Sequence, residues 1–464
     1  AGLAASQTSS KIVIGDGVIS TGSSPAYTGS SDAPFQAAIT ALGGTASGTI
    51  EVMPGSYNFV NTVNVNVAGV RISGGPSARI APRASLTGPC FLVTSTAGDF
   101  VLDGVTLLDQ RDTPPAEIAF LDVQASRFTM TNCRVLVSNL NPPSTASGES
   151  HAIRITGVLY AEVFGALLQS NAFVVGRAGA QPPGPSLFPV EAPGRTLVHS
   201  EHGRNLRILG NTFQSGVVPT VMSVASAISL VDDEWSSISG NTFSYLETPL
   251  GGVPEDDALV SSKGVGESNH LVVSANYFER CGGESIVAVR GHGFVTITGN
   301  GFGRLSAGDS GALYLAGGSG NIVSANNFHN VGAATTPSIR AVMGAAPASP
   351  AEGLVISSNA FSLADGEQVV IESVNGVLVE GNQFIGPTGS DPHLRLEDVS
   401  GASITGNRFT CVSAAAIQLN APAAFPKTAF LCGNILNPAP CGGGLSSTTN
   451  YTLLTCDAVG NPNF

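Results

Sequence analysis

A few charged side chains near the middle of the chain have the types and spacing for acid–base chemistry. Only three lysines occur in the 464 residues, and the central one is Lys263, in the acidic segment PEDDALVSSKG (254–264). The segment AVRGHG (288–293) adds Arg290 and His292. An amine, a guanidinium and an imidazole can together move a proton and stabilise an anion. These three residues are therefore the candidate catalytic residues.

The alternation of apolar residues predicts which way these side chains point. In SIVAVRGHG (285–293), Val287 and Val289 can face a core. Successive side chains of a strand point to opposite faces. Ile286, Arg290 and His292 are therefore expected to face outward.

The next segment, SGALYLAGG (310–318), is expected to turn Tyr314 outward in the same way. Strands in one sheet lie about 5 Å apart, so outward Lys263, Arg290 and Tyr314 would form one lateral strip. Tyr314 and Arg304 are the candidate substrate-binding residues.

A recurring phrase indicates which elements position these side chains. Each phrase has a short alternating strand, a small residue, an Asn, any residue and a Phe, as in SSISGNTF (236–243) and VTITGNGF (295–302). Asn tolerates the left-handed backbone conformation better than other non-glycine residues, so each Asn is expected to mark a sharp bend. The bends are predicted at Asn132, where the phrase is weak, and at Asn171, Asn211, Asn241, Asn276, Asn300, Asn326, Asn359, Asn382, Asn407 and Asn434.

The gaps between these asparagines run from 23 to 40 residues, which predicts stacked units that cannot bury an apolar face alone. An apolar period of two and 57 glycines exclude a helical repeat, so each unit is a coil of strands. These coils resemble the right-handed parallel β-helix of the pectin-lyase-like superfamily. The resemblance implies an all-β solenoid, with a column of hydrogen-bonded Asn amides and a column of stacked Phe rings.

Residues 236–330 also resemble polysaccharide lyase family six, the alginate-lyase and chondroitinase-B group. The resemblance rests on an acidic pair before a strand that ends in a Ser-Lys phrase, and on an Asn-x-Phe bend ten residues after an Arg. Lys263 and Arg290 match the family's catalytic Lys and Arg, and Asp256 takes the place of a metal-binding carboxylate. Asp257 and Asn241 are the further candidate ligands of a calcium ion.

The resemblance to this family implies β-elimination of a uronic-acid polymer. Calcium would neutralise the sugar carboxylate and make the neighbouring C–H more acidic. Lys263 would remove that proton, and Arg290, with His292, would stabilise or protonate the departing oxygen.

Two other interpretations remain open. Polygalacturonase-like hydrolases pair Asp-Asp with Gly-His-Gly, as in Asp256-Asp257 and 291–293, and would use two carboxyl groups on a glycosidic bond. The chain is also similar to phage tailspike β-helix proteins. It would then be a non-catalytic subunit of a spike, tail fibre or surface filament, forming a homo-oligomer or part of a larger assembly.

Composition limits the partners and the compartment. A net charge of −13 argues against nonspecific nucleic-acid binding, and no apolar run is long enough to span a membrane. Four of the seven cysteines, from Cys411 to Cys456, fall near the C-terminal end without metal-ligand spacing. Either one or two disulfides or free buried thiols are expected there. Disulfides would place the protein outside the cell, on a cell surface or on a virion.

The chain is predicted to contain four regions and two Pro-rich loops. Phe35, Ala38, Ile39 and Leu42 recur at helical spacing, so a short helix is expected to cap the β-helix, with Ser31 or Asp32 as its N-cap. The loops 141–150 and 177–195 are expected on one face, which would be the binding face. The regions are an N-terminal extension (1–31), either a hairpin or a docking segment, a cap (32–60), the β-helix (61–420) and a C-terminal cap or assembly tail (421–464).

Overall fold

The computed structural model divides the chain into two compact units, Ala1–Ser229 (unit 1) and Leu230–Phe464 (unit 2). Both units consist of short strands, and unit 1 also contains one helix, Ala33–Leu42. The structure describes residues 10–15, 27–43, 47–109, 118–137, 150–157, 162–176, 196–216, 222–248, 258–264, 270–307, 311–331, 337–342, 352–362, 366–386, 391–410, 415–421, 427–436, 443–447 and 451–455.

The strands of unit 1 fall into three main sheets. The first sheet contains Ser10–Gly15, Tyr27–Thr28, Gly48–Val52, Val70–Gly74, Val101–Asp103, Thr129–Thr131, Leu167–Gln169 and Arg207–Leu209. The second contains Gly55–Phe59, Ala78–Pro82, Thr106–Asp109, Arg134–Val137, Ala172–Val175, Thr212–Ser215 and Met222–Ser223. The third contains Val63–Val65, Phe91–Val93, Ile118–Val123, His151–Thr156 and Thr196–Glu201. A small extra sheet pairs Val163–Phe164 with Gly203–Arg204.

Unit 2 repeats the same three sheets. The first sheet contains Ser236–Ser239, Leu271–Ser274, Val295–Thr298, Ile322–Ser324, Glu352–Ser357, Asn375–Glu380, Ala402–Thr405, Lys427–Cys432 and Tyr451–Thr455. The second contains Thr242–Ser244, Leu246–Glu247, Tyr277–Glu279, Gly282–Gly283, Gly301–Ala307, Asn327–Val331, Ala360–Ser362, Gln383–Ile385, Arg408–Thr410 and Ile435–Leu436. The third contains Ala258–Lys263, Ser285–Arg290, Leu313–Ala316, Ile339–Val342, Val369–Glu372, Leu394–Glu397, Ala415–Asn420 and Gly443–Ser447. The strand Ile228–Val231 contains the unit boundary.

Each unit is a parallel β-helix. The chain passes from the first sheet to the second and then to the third in each coil, and each strand pairs in parallel with its counterpart one coil later, as Leu271–Ser274 does with Val295–Thr298. Inward positions alternate with outward ones, so Val295 and Ile297 are buried while Thr296 and Thr298 are partly exposed. The prediction of an all-β parallel solenoid is confirmed.

The bend between the first and second sheets is built differently from the prediction. The left-handed residue is the small one before each Asn, as at Gly240 (φ 66°), Ala275 (φ 54°) and Gly299 (φ 67°), and not the Asn itself. The Asn instead provides hydrogen bonds that join neighbouring coils. Asn276 donates from its backbone N–H and from Nδ2 to Asn300 Oδ1, at 2.9 and 3.0 Å, and Nδ2 also donates to the Ile238 carbonyl at 2.9 Å.

This pattern repeats along both units as an Asn ladder, whose side chains are almost entirely buried. In unit 2 the ladder contains Asn241, Asn276, Asn300, Asn326, Asn359, Asn382, Asn407 and Asn434. In unit 1 it joins Asn171 to Asn211. Each amide satisfies backbone groups that the bend would otherwise leave buried without a partner.

The ladder position in the coil of Asn132 is held by Cys133. Asn132 has φ 55° and so matches Ser170 (φ 56°), the residue before Asn171 in the next coil. The backbone N–H of Cys133 donates to Asn171 Oδ1 at 2.9 Å. Asn132 instead donates to Asp103 Oδ1 at 3.0 Å. The weak assignment of Asn132 as a ladder residue is therefore wrong by one position.

A column of Phe rings fills the core beside the ladder. From Phe243 to Phe409 in unit 2, successive ring centroids lie 4.6–5.0 Å apart with interplanar angles of 2–8°. Phe173 and Phe213 stack likewise in unit 1, at 4.6 Å. The coil spacing of a parallel sheet sets this distance, and the inward direction predicted for the Phe residues is confirmed.

The helix Ala33–Leu42 buries the predicted face, Phe35, Ala38, Ile39 and Leu42. The Phe35 ring meets the edges of Tyr57, Phe59 and Phe91, with centroids 5.1–6.0 Å apart. Asp32 occupies the N-cap position, but its side chain makes no capping hydrogen bond. It accepts instead from the backbone N–H groups of Val60 and Asn61.

Cys90, Cys133 and Cys281 are buried thiols, whereas Cys432 is disulfide-bonded. Burial raises the pKa of the Cys133 and Cys281 thiols to about 12. These two thiols are therefore protonated at neutral pH and are not nucleophiles. In the described part of the chain, no helix has the length and apolar character needed to cross a membrane.

Candidate functional site

Lys263 and Arg290 lie opposite each other on neighbouring strands of the third sheet of unit 2. The strands Ala258–Lys263 and Ser285–Arg290 pair in parallel, with Lys263 in register with Arg290. The Gly264 N–H donates to the Arg290 carbonyl at 2.8 Å and holds the chain in this register beyond the strand end. The Lys263 side chain is partly buried and that of Arg290 is exposed. The structure thus brings these two predicted residues together, and we call them the basic pair.

His292 points inward, contrary to prediction. Its side chain is 1% exposed, and Nε2 lies 2.9 Å from Oγ of Ser262, which is also 1% exposed. The strand ends at Arg290, and Gly291 (φ 71°) reverses the chain before His292, so the alternation does not extend that far. Ile286, predicted to face outward, is also fully buried.

Gly291 is needed for this reversal. A Cβ atom there would lie 2.3 Å from the Gly264 carbonyl oxygen of the preceding coil, and its left-handed φ is disfavoured for other residues. The interruption of the Arg-His phrase by a glycine therefore has a structural cause. It directs the imidazole of His292 away from the outer surface of the basic pair.

The two predicted substrate-binding residues lie on different sheets. Tyr314 is on the third sheet, in register with Ala288, while Ala316 is in register with Arg290. Tyr314 is therefore displaced by two residues from the level of the basic pair. Arg304 is on the second sheet, where its Nη1 lies 3.8 Å from Glu279 Oε1.

Of the three predicted calcium ligands, only Asn241 lies among the described residues. Asp256 and Asp257 fall outside them. Asn241 is 1% exposed and donates from its backbone N–H and from Nδ2 to Asn276 Oδ1, as a member of the Asn ladder. Within the described ranges, no three His, Cys, Asp or Glu side chains are grouped to hold a metal ion.

An exposed aromatic stack, not predicted from the sequence, lies where the chain enters the first sheet of unit 2. Trp235, His270 and Phe294 each immediately precede a first-sheet strand, and their rings stack at 3.9 and 5.1 Å. Trp235 is 51% exposed and Phe294 is 53% exposed. We call these three residues the aromatic corner. Its sequence signal is an aromatic ring one residue before three successive strands.

The aromatic corner has an energetic cost. Trp235 has φ 57° and Phe294 has φ 58°, whereas the next coil has Gly320 (φ 72°) at this position. A bulky side chain in the left-handed region costs on the order of 1–3 kcal/mol. Solvent-exposed rings recover little of this energy by burial, so their presence points to a binding role.

Comparison with known proteins supports the fold. No protein-family model and no curated protein matches the chain. A variant of the tailspike protein of E. coli bacteriophage HK620, solved in complex with a pentasaccharide, aligns with a TM-score of 0.53. It is 12% identical to this chain, and the alignment covers 91% of this chain and 74% of the tailspike. The chain is a right-handed parallel β-helix.

Two solved polysaccharide lyases of family six align less well with this β-helix. A mannuronic acid specific lyase from human gut microbiota is 14% identical, with a TM-score of 0.47 and coverage of 92% of this chain and 91% of that one. An alginate lyase in complex with a trisaccharide is also 14% identical, with a TM-score of 0.46 and coverage of 98% and 88%.

Proposed function

We propose that this β-helix binds an acidic polysaccharide at the basic pair and cleaves it by β-elimination. The observation that carries the proposal is the register of Lys263 with Arg290 on adjacent strands. Two basic side chains about 5 Å apart at their Cα atoms, a guanidinium and an amine, match the carboxylate and the acidic C–H of one uronic-acid unit. The net charge of −13 makes a local cationic pair distinctive on this protein.

The Arg290 guanidinium would bind the sugar carboxylate through two parallel N–H···O bonds. Removal of the proton on the carbon next to that carboxylate places negative charge there, and the same guanidinium stabilises it. Lys263 Nζ, in its neutral form, takes that proton. The C–H electron pair forms the new C=C bond, and the C–O bond to the neighbouring sugar breaks. The departing oxygen takes a proton from the Lys263 ammonium, which restores the amine.

The aromatic corner supports the binding part of the proposal. A sugar ring has an apolar face of C–H groups that can pack on an exposed aromatic ring. Phe294 is four residues after Arg290 along the same coil. The HK620 tailspike, whose structure was solved with a pentasaccharide, has the same fold as this chain.

A second candidate function is non-catalytic. The inward direction of His292 leaves the outer surface without the imidazole that was expected beside the basic pair. A glycan-binding subunit of a phage spike, tail fibre or surface filament would need only the basic pair and the aromatic corner. In either function we propose an extracellular, cell-surface or virion location, to which the disulfide at Cys432 is suited, and assembly into a homo-oligomer or larger complex. Calcium bound by Asp256 and Asp257 stays a prediction, and no step above depends on it.

The deciding experiment measures unsaturated uronic products, by the ultraviolet absorbance of the new double bond, on alginate, dermatan and bacterial capsules. Lys263→Ala and Arg290→Ala are each expected to lower the rate at least about 100-fold, the scale of a lost catalytic base. Lys11→Ala is the matched control, because Lys11 lies in unit 1 and is paired with Glu51. Each assay is run with a chelator and again with added calcium, since loss and recovery of activity would support the predicted metal.

The same variants separate the two candidate functions. Glycan binding that is weakened by Arg290→Ala, without cleavage of any polymer by the wild type, would support the non-catalytic function. No cleavage on the whole panel, together with unchanged glycan binding in Lys263→Ala and Arg290→Ala, would exclude both roles for the basic pair.

A further inference from the structure

An open polar cavity lies on the second sheet of unit 2, a different face from that of the basic pair. Its volume is about 330 Å³, and Tyr277, Glu279, Arg304 and His329 are among its lining residues. The cavity exists because two positions of one coil are glycines, which leave open the space that side chains would fill. Gly301 is in register with Tyr277 on one side and Asn327 on the other, and Gly303 is likewise between Glu279 and His329. We call this cavity the Tyr277 trough.

The Tyr277 ring forms the floor of the trough. A Cβ atom on Gly301 would lie 2.8 Å from Cδ2 of Tyr277, so the ring rests directly on the Gly301 backbone. Its hydroxyl donates to Glu279 Oε2 at 2.8 Å, which fixes the far end of the ring. This hydrogen bond to a carboxylate raises the pKa of Tyr277, so the hydroxyl stays protonated at neutral pH. The side chain is nevertheless 48% exposed, so the ring offers an accessible aromatic surface in a fixed orientation.

Charged and polar groups surround this platform. Arg280 Nε and Arg304 Nη1 each lie 3.8 Å from Glu279 Oε1, so two guanidinium groups flank one carboxylate. Across the trough, His329 Nδ1 lies 3.1 Å from Ser362 Oγ. An apolar platform ringed by a few hydrogen-bonding groups is the usual composition of a small-molecule site, and the two guanidinium groups beside one carboxylate favour an anionic ligand.

We propose that the Tyr277 trough binds one pyranose unit of an acidic oligosaccharide, with the apolar face of the sugar on the Tyr277 ring. Glu279 accepts a hydrogen bond from a sugar hydroxyl, and Arg304 pairs with the sugar carboxylate. The trough would be a second saccharide subsite, separate from the basic pair. It rests on the proposed function in one respect, which is that the natural ligand of the chain is an acidic polysaccharide.

Binding of a short oligomannuronate to the full chain, measured by calorimetry with a neutral maltooligosaccharide for comparison, tests the proposal. Tyr277→Ala is expected to weaken oligomannuronate binding at least about tenfold. Gly303→Leu, which fills the trough, should do the same, because even a Cβ atom there would lie 2.9 Å from Glu279 Oε2. Tyr277→Phe retains the ring and should bind within about threefold of wild type. Phe430→Ala is the matched control, because Phe430 is an exposed aromatic residue on the first sheet of unit 2.

The outcomes separate this inference from the proposed function. Weaker binding in Tyr277→Ala and Gly303→Leu, with thermal stability and the control unchanged, supports the trough even if no polymer is cleaved. Wild-type binding in both variants overturns it, whatever Lys263→Ala does to cleavage. Equal affinity for the neutral and the acidic oligosaccharide would overturn the assigned ligand class.

Discussion

The imidazole Nε2 of His292 lies 2.9 Å from the hydroxyl oxygen of Ser262, and both side chains are buried between adjacent coils. This contact lies next to the basic pair, because Ser262 precedes Lys263 and His292 follows Arg290 by two residues. It links the backbone of one coil to that of the next at the level where Lys263 and Arg290 are presented. We therefore expect His292 to position the basic pair and not to touch a substrate.

We expect His292→Ala to destabilise the protein by about 1–3 kcal/mol, since it removes a buried partner of the Ser262 hydroxyl and leaves a cavity. Denaturant unfolding of His292→Ala, Ser262→Ala and the double variant measures this coupling. A coupling energy of about 1 kcal/mol is expected for the hydrogen bond. If a lyase activity is found, His292→Ala should lower its rate, and an unchanged rate would contradict the positioning role.

The Asn ladder predicts a large cost for a small truncation. Asn300 accepts from the backbone N–H and Nδ2 of Asn276, and donates to Val273 O and Asn326 Oδ1. Asn300→Ala leaves several of these buried groups without a partner, so we expect a loss of at least about 2 kcal/mol. Asn327→Ala, on an exposed position of the next coil, is the control and should lie within about 0.5 kcal/mol of wild type. Equal melting temperatures for the two variants would contradict the ladder's role.

Two glycines with similar backbone angles should respond differently to the same substitution. Gly291 has φ 71° and would bring a Cβ atom to 2.3 Å from the Gly264 carbonyl oxygen, whereas Gly299 has φ 67° and only one contact, at 3.9 Å. Gly299→Ala should cost about 1 kcal/mol, because Ala275 already adopts this conformation at the preceding bend. Gly291→Ala should cost several times more by thermal unfolding. A similar cost for both would mean that the steric contact at Gly291 relaxes freely.

Acidification should destabilise unit 2 through His393. This side chain is buried near Phe384 and Phe409, and burial lowers its pKa from 6.5 to about 4. Between pH 6.5 and 4, His393 becomes protonated in the unfolded chain but stays neutral in the folded chain. The free energy of unfolding therefore falls as the pH falls across this window. The full loss is about 3 kcal/mol. Unfolding of His393→Gln should lose this part of the pH dependence, whereas His329→Gln, at an exposed site, should retain it.

The parts of the fold that repeat could be predicted from sequence. The Asn and Phe positions define the coils because each coil repeats the same local pattern. Lys263 and Arg290 fall in neighbouring coils because the first precedes Asn276 and the second precedes Asn300, whereas their exact register comes from the structure. The left-handed residue of the bend was misassigned because Asn and small residues both tolerate that conformation. Only the stacking of coils reveals that the Asn side chain is needed for the ladder.

The single features of the site could not be predicted by the same means. His292 lies beyond the end of its strand, after the left-handed residue Gly291. The alternation of inward and outward side chains does not continue there, so the prediction that His292 faces outward is wrong. The aromatic corner depends on three rings from different coils, and only the stacking of those coils brings them together. Arg304 and Tyr314 are both candidate substrate-binding residues, although the bends of a coil place them on separate sheets.

The Asn ladder also bears on how such a chain can evolve. Each ladder amide bonds to its counterpart one coil away, at separations that range from 23 to 40 residues, so the ladder tolerates coils of different length. Duplication or deletion of a whole coil would keep each ladder Asn next to another Asn. Duplication or deletion of part of a coil would interrupt the ladder. The gene can thus lengthen or shorten in complete turns, and new binding residues can arise in the loops without loss of the scaffold.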